Sequence, residues 1–196
     1  MTNLVLNVSR QPEWIHAFQR IQAELGWNPT YWITYEQNHD EVGAAFPSAV
    51  RHRRLDLNRG IVLPELGHLQ SLSLSTETIT RAQPYVMTAL EILNRFDLGY
   101  SMSHGEKNRL ALRLIAYWLG VIEHSKIDMG VFSATPHGLG NYLLYAALKL
   151  SGKPVRIFVP TPVDNLTFVA DDIDAIPTRM IESYEAKLAS DGPFSL

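Results

Sequence analysis

Asp128-Met129-Gly130-Val131-Phe132-Ser133-Ala134-Thr135-Pro136-His137-Gly138-Leu139-Gly140-Asn141 is the stretch on which the fold turns. Its first six residues are a short, mainly apolar run of the kind that forms a buried strand. Pro136 has no N–H to give to a sheet ladder, so pairing should stop there. Residues 139–151 then hold apolar side chains over a helical length, and Gly152 is a natural helix stop. Pro154-Val155-Arg156-Ile157-Phe158-Val159 reads as the next strand, closed by Pro160. Strand, helix and strand in this order make a β-α-β unit, the building block of a parallel sheet.

A second unit opens the chain. Leu4 to Ser9 reads as a strand, and Pro12 suits the first position of a helix. Trp14, Ile15, Phe18, Ile21 and Leu25 recur at helical spacing up to Gly26. Asn28-Pro29 makes a turn before a strand at Tyr31-Trp32-Ile33-Thr34-Tyr35. Beyond it, residues 39–47 read as irregular, 50–57 as a third strand and 63–75 as loop. Two long helical patterns follow at 78–96 and 106–122, with Ser103 and Glu106 spaced as a capping box. A last helix is expected at about 178–189. The fold class expected is therefore α/β: a single Rossmann-like, largely parallel sheet flanked by helices, spanning 1–196 with a helical insertion at about 78–124.

Composition narrows the function. The 196 residues are 46% hydrophobic, enough for one sizeable core. The net charge of -3 gives no electrostatic reason for a nucleic-acid partner. The chain has no cysteine, which removes disulfides and thiolate chemistry. No apolar run has the roughly 18 residues that a membrane span needs. The first residues do not read as a secretory signal, and a cytoplasmic location is expected.

The candidate site is the strand-to-helix turn. In open parallel sheets ligands bind beyond the carboxyl ends of the strands. A helix start offers unpaired N–H groups and partial positive charge. Ser133, Pro136, Gly138, Gly140 and Asn141 are the expected ligand-binding residues there, and His137 is the candidate catalytic acid or base. His39 and Asp40, after the second strand, are the groups expected to share the pocket. Gly138-x-Gly140 is followed by Leu143 where a dinucleotide fingerprint needs glycine, so no nucleotide cofactor is expected. No metal site is expected either. Asp171-Asp172-Ile173-Asp174 reads as turn residues after a strand, and Arg51-His52-Arg53-Arg54 with Arg59 as the charged face of an edge strand. Glu123-His124 reads as a helix end, and Trp14, Trp32, Tyr117 and Trp118 as core.

Strand, Ser133-x-x-Pro136-His137, the helix Tyr142-Leu143-Leu144-Tyr145-Ala146-Ala147-Leu148-Lys149-Leu150-Ser151-Gly152-Lys153-Pro154 and a further strand resemble the N-terminal half of capsular or surface polysaccharide biosynthesis glycosyltransferases. The resemblance covers about residues 125–165. It implies a GT-B arrangement of two Rossmann-like halves, the N-terminal one holding the acceptor and the other the nucleotide sugar. His137 would then face the cleft between halves, and the ligand would be a saccharide or glycan. No sequence after Leu196 builds a second half, so a separate donor-binding partner is expected. Two further readings stand beside it. One is a non-catalytic binding or assembly module of the same fold. The other is a small stand-alone enzyme acting on a phosphorylated or carboxylated metabolite.

Overall fold

The computed structural model describes residues 2–97, 101–160 and 167–191, with the side chains of 179, 183 and 187–191 excepted. Six strands form one sheet: β1 (Thr2–Asn7), β2 (Trp27–Thr34), β3 (Val50–Arg53), β4 (Met129–Phe132), β5 (Val155–Pro160) and β6 (Thr167–Ala170). Their order is β3-β2-β1-β4-β5-β6. The first five run parallel, and β6 pairs antiparallel with β5. This is an α/β, Rossmann-like fold with helices on both faces.

Alternation along the strands decides which face each side chain meets. Leu4 and Leu6 of β1, Trp32 of β2, and Met129 and Val131 of β4 join one core. That core is closed by Ile15 and Phe18 of α1 (Glu13–Leu25) and Val42 of α2 (His39–Ala45). Val5, Tyr31, Ile33 and Phe132 face the other way, into the larger core. There they meet α4 (Thr76–Phe96), α5 (His104–His124) and α6 (Leu139–Leu150). Gly130 leaves room in β4 for Leu148 of α6. The expected core aromatics fall as read: Trp32, Tyr117 and Trp118 are buried, and Trp14 packs half-buried against Phe18 and Phe158.

The helical pair α4 and α5 connects β3 to β4 and packs on α6 within the larger core. Ser103 and Glu106 do form the capping box at the start of α5. Five expectations need correction. Asn28-Pro29 is not a turn before the second strand but part of it, paired with Asn3 and Leu4 of β1. Residues 50–57 are not one strand: the chain leaves the sheet at Arg53 and turns into a short helix, α3 (Arg54–Asn58). Residues 39–45 are helical rather than irregular. Residues 64–71 coil into a 3-10 helix instead of a loop, burying Leu66 and Leu69. Strand β6 was not read, and α7 (Ile176–Asp191) follows it.

Candidate functional site

β1 and β4 are neighbours, and the chain leaves them in opposite directions across the sheet. Their carboxyl ends therefore form the topological switch point of the sheet, the position at which doubly wound sheets bind ligands. The two ends are tied: Asn7 pairs with Phe132, and the Ser133 N–H donates to the Asn7 carbonyl at 3.1 Å. The turn from Ser133 to Gly138 starts at this point. Pro136 is buried within it, Ser133 is half-buried, and His137 is exposed.

His137 Nδ1 lies 2.9 Å from the Thr135 carbonyl oxygen. A carbonyl only accepts, so Nδ1 carries the hydrogen, and in the neutral ring Nε2 holds a lone pair. The backbone thereby sets the tautomer that a general base requires.

The glycines serve a different close approach from the one expected. Helix α6 begins after Gly138, which has φ -94° and ψ 156° and no side-chain cap. Neither glycine here has a positive φ; Gly140 needs the missing Cβ because it meets backbone, while Gly138 is approached by side-chain oxygens. At Gly140 a Cβ would stand 2.7 Å from Leu57 Cβ and 3.0 Å from the Leu57 backbone. At Gly138 it would stand 2.8 Å from Asn58 Oδ1 and 2.9 Å from Asn141 Oδ1. Helix α3 thus packs directly on the start of α6, and both glycines are buried. Gly140 is held from the other side as well, its carbonyl accepting a 3.0 Å bond from Trp118 Nε1–H. Asn141 is 4% exposed, and its Oδ1 is buried without a hydrogen-bond partner.

His39 and Asp40 sit beyond β2, on the far side of β1 from His137. His39 Nδ1 shares a 2.8 Å hydrogen bond with Thr34 Oγ1, and its carbonyl accepts from Arg51 at 3.0 Å. Burial, then the charges of Arg51 and Arg53, lower the His39 pKa. Arg53 pairs with Glu36 at 3.2 Å, while Arg54 bonds the Tyr35 hydroxyl and covers its ring at 5.0 Å. The arginine-rich edge is therefore internally partnered at these positions. Among the described residues no hydrogen bond or ion pair joins His39 or Asp40 to His137.

His52, read with the exposed arginines, is instead 1% exposed. Its Nε2–H donates to the Ile61 carbonyl at 3.0 Å, which leaves Nδ1 to accept from Tyr31 at 2.7 Å. Tyr31 in turn accepts from Tyr117 at 2.9 Å. This chain fastens the segment after α3 to the sheet, and so holds α3 against α6. Burial lowers the His52 pKa to about 4, against the opposing pull of the Ile61 carbonyl.

Reading the sequence missed two contributors: Asn7, whose carbonyl accepts from the Ser133 N–H, and Asn58, whose Oδ1 lies beside Gly138. Asn58 had a local signal, since Gly60 has φ +74° and ends a helical turn rather than a strand. The acidic run also has internal partners: Asp172 binds Lys149 at 2.6 Å and accepts from the Tyr145 hydroxyl at 2.9 Å. Among the described residues no group of three or more His, Asp or Glu is placed to hold a metal ion. Nor is any described helix long and apolar enough to cross a membrane.

Two concavities, of about 520 and 460 Å³, lie at the amino ends of β5 and β4 and share Lys153. Their linings mix lysine and arginine with aspartate and glutamate, and Lys149 is already paired. We place the candidate site instead at the carboxyl ends of β1 and β4, where doubly wound sheets hold their ligands. The chain matches no family model, no curated protein and no solved structure.

Proposed function

We propose that this chain is a glycosyltransferase-like domain that binds a saccharide or glycan acceptor at the carboxyl ends of β1 and β4. The donor would be held by a separate half, as the sequence resemblance implies. The observation that carries the reading is His137: an exposed imidazole at the carboxyl end of β4, with Nδ1–H fixed by Thr135 and Nε2 free to take a proton. That is the state needed to activate a sugar hydroxyl. In transfer, Nε2 would accept the hydroxyl proton while the oxygen bonds the donor's anomeric carbon. The nucleoside diphosphate would leave with the electron pair of the broken bond. Alignment of donor and acceptor supplies much of such catalysis, so the acceptor domain alone should turn over no nucleotide sugar.

Titration with neutral mono- and oligosaccharides, followed by amide and imidazole NMR shifts, tests the binding. Shifts confined to Ser133–Asn141 and the loop after β1 are expected. His137→Ala should weaken binding by about tenfold, the scale of one lost hydrogen bond. Its stability should stay within about 0.5 kcal/mol because the side chain is exposed. Absence of any saccharide-induced shift at this turn, or a large stability loss in His137→Ala, would refute the reading.

A further inference from the structure

We propose that the carboxamides of Asn58 and Asn141 form an acceptor pair for a sugar hydroxyl hydrogen, making the start of α6 a subsite for a neutral saccharide rather than a phosphate. This rests on the reading of the His137 turn just given and specifies the chemistry of the ligand.

The start of a 12-residue helix with no side-chain cap offers the N–H groups of Leu139, Gly140 and Asn141. They precede the first helical bond, from Tyr142 N–H to the Gly138 carbonyl at 2.9 Å. Taken alone, such a terminus suits any oxygen, an anion included. The side chains around it change the chemistry. Asn141 is 4% exposed, and its Oδ1 has no donor. Asn58 Oδ1 comes from α3 to the same place, both oxygens lying within 3 Å of where a Gly138 Cβ would stand. Both oxygens approach the Gly138 backbone, and the Asn141 one has no hydrogen-bond partner.

Such a set repels an oxyanion, which brings lone pairs and charge but few hydrogens. A hydroxyl fits it, because one hydroxyl donates one hydrogen and accepts another. The adjacent hydroxyls of a sugar can meet the carboxamide oxygens and the helix N–H groups together. Asn58 is exposed at the end of α3, and Asn141 is the buried member of the pair. Gly138 keeps the space that any side chain would take from both.

The test is NMR titration of the full chain with a methyl hexoside, the corresponding sugar phosphate and inorganic sulfate as separate probes. The methyl hexoside should shift the Gly138–Asn141 amides and the side-chain amides of Asn58 and Asn141; inorganic sulfate should not, and the sugar phosphate should bind no more tightly than the hexoside. Asn58→Ala, at an exposed position, should weaken the hexoside by about tenfold. Asn141→Asp keeps the acceptor oxygens and should retain hexoside binding, whereas Asn141→Leu should lose it. Far-UV circular dichroism of each variant separates a folding defect from a binding one. Hexoside binding that moves the His137 imidazole yet survives Asn58→Ala undiminished overturns this inference and leaves the acceptor reading standing. Sulfate or the sugar phosphate shifting these amides while the hexoside does not also overturns it, since the carboxamides would then present their NH₂ ends. If none of the probes shifts the turn, both readings fall.

Discussion

A single methyl group at Gly140 would be felt directly. Its nearest neighbours include the Leu57 carbonyl carbon and oxygen at 3.0 Å, and backbone cannot rotate away as a side-chain tip can. Gly140→Ala should therefore lever α3 off α6 and cost about 1–3 kcal/mol, measured as a lower urea midpoint. Gly152 is the control, with nothing within 4 Å but φ +65°, so Gly152→Ala should cost about 1 kcal/mol through backbone strain alone. At this scale the sequence marked a close approach at this turn and not its partner, which is Leu57. Gly-x-Gly at a helix start shows that something approaches the backbone. Whether it is a ligand or Leu57 depends on α3, whose Arg54-Leu55-Asp56-Leu57-Asn58 alternates as a strand would and yet folds as a helix.

Among the elements, α5 was legible because its signals are local. Ser103 accepts from the Glu106 N–H, and Glu106 Oε2 accepts from the Ser103 N–H at 2.7 Å. Ser103→Ala should cost about 1 kcal/mol, seen in thermal unfolding. The elements that were missed depend on partners distant in sequence. Helix α2 carries Gly43 in its interior, a residue that argues against helix, yet the missing side chain makes room for the Arg51 guanidinium from β3. Strand β6 is four residues long and is ordered by antiparallel pairing to β5. Nothing within Thr167–Ala170 announces that pairing. Helix α7 was readable from its pattern, although Met180, Ile181 and Tyr184 stay exposed on it.

For the molecule as a whole, the parallel sheet followed from two β-α-β units, but the adjacency of β1 and β4 did not. Strand order is settled by which faces of the helices must be covered, and that placed Asn7 beside Ser133. The same long-range packing sets the response to acid. His52 is held neutral by burial, with a pKa of about 4 against 6.5 when unfolded. The unfolded chain therefore binds a proton that the folded chain refuses between these values, and stability falls as pH drops through that window, by about 3 kcal/mol for His52. The lowered pKa of His39 acts in the same direction. Asp97 behaves otherwise. Hydrogen bonds from Ser101, then Lys107, hold its carboxyl well below the usual range, with Lys107 Nζ at 2.9 Å. Its contribution is present above the unfolded carboxylate pKa and is lost only as pH falls through the folded value. Glu106, held down by Ser103, follows it. Acid should thus weaken the fold in two stages, one between about pH 6.5 and 4 and one below about pH 4. Urea unfolding across pH checks this. His52→Gln should flatten the upper stage and keep the lower; Asp97→Asn should shrink the lower and keep the upper. A single transition that both substitutions alter equally would mean that the two sites are not the separate anchors their bonding partners describe.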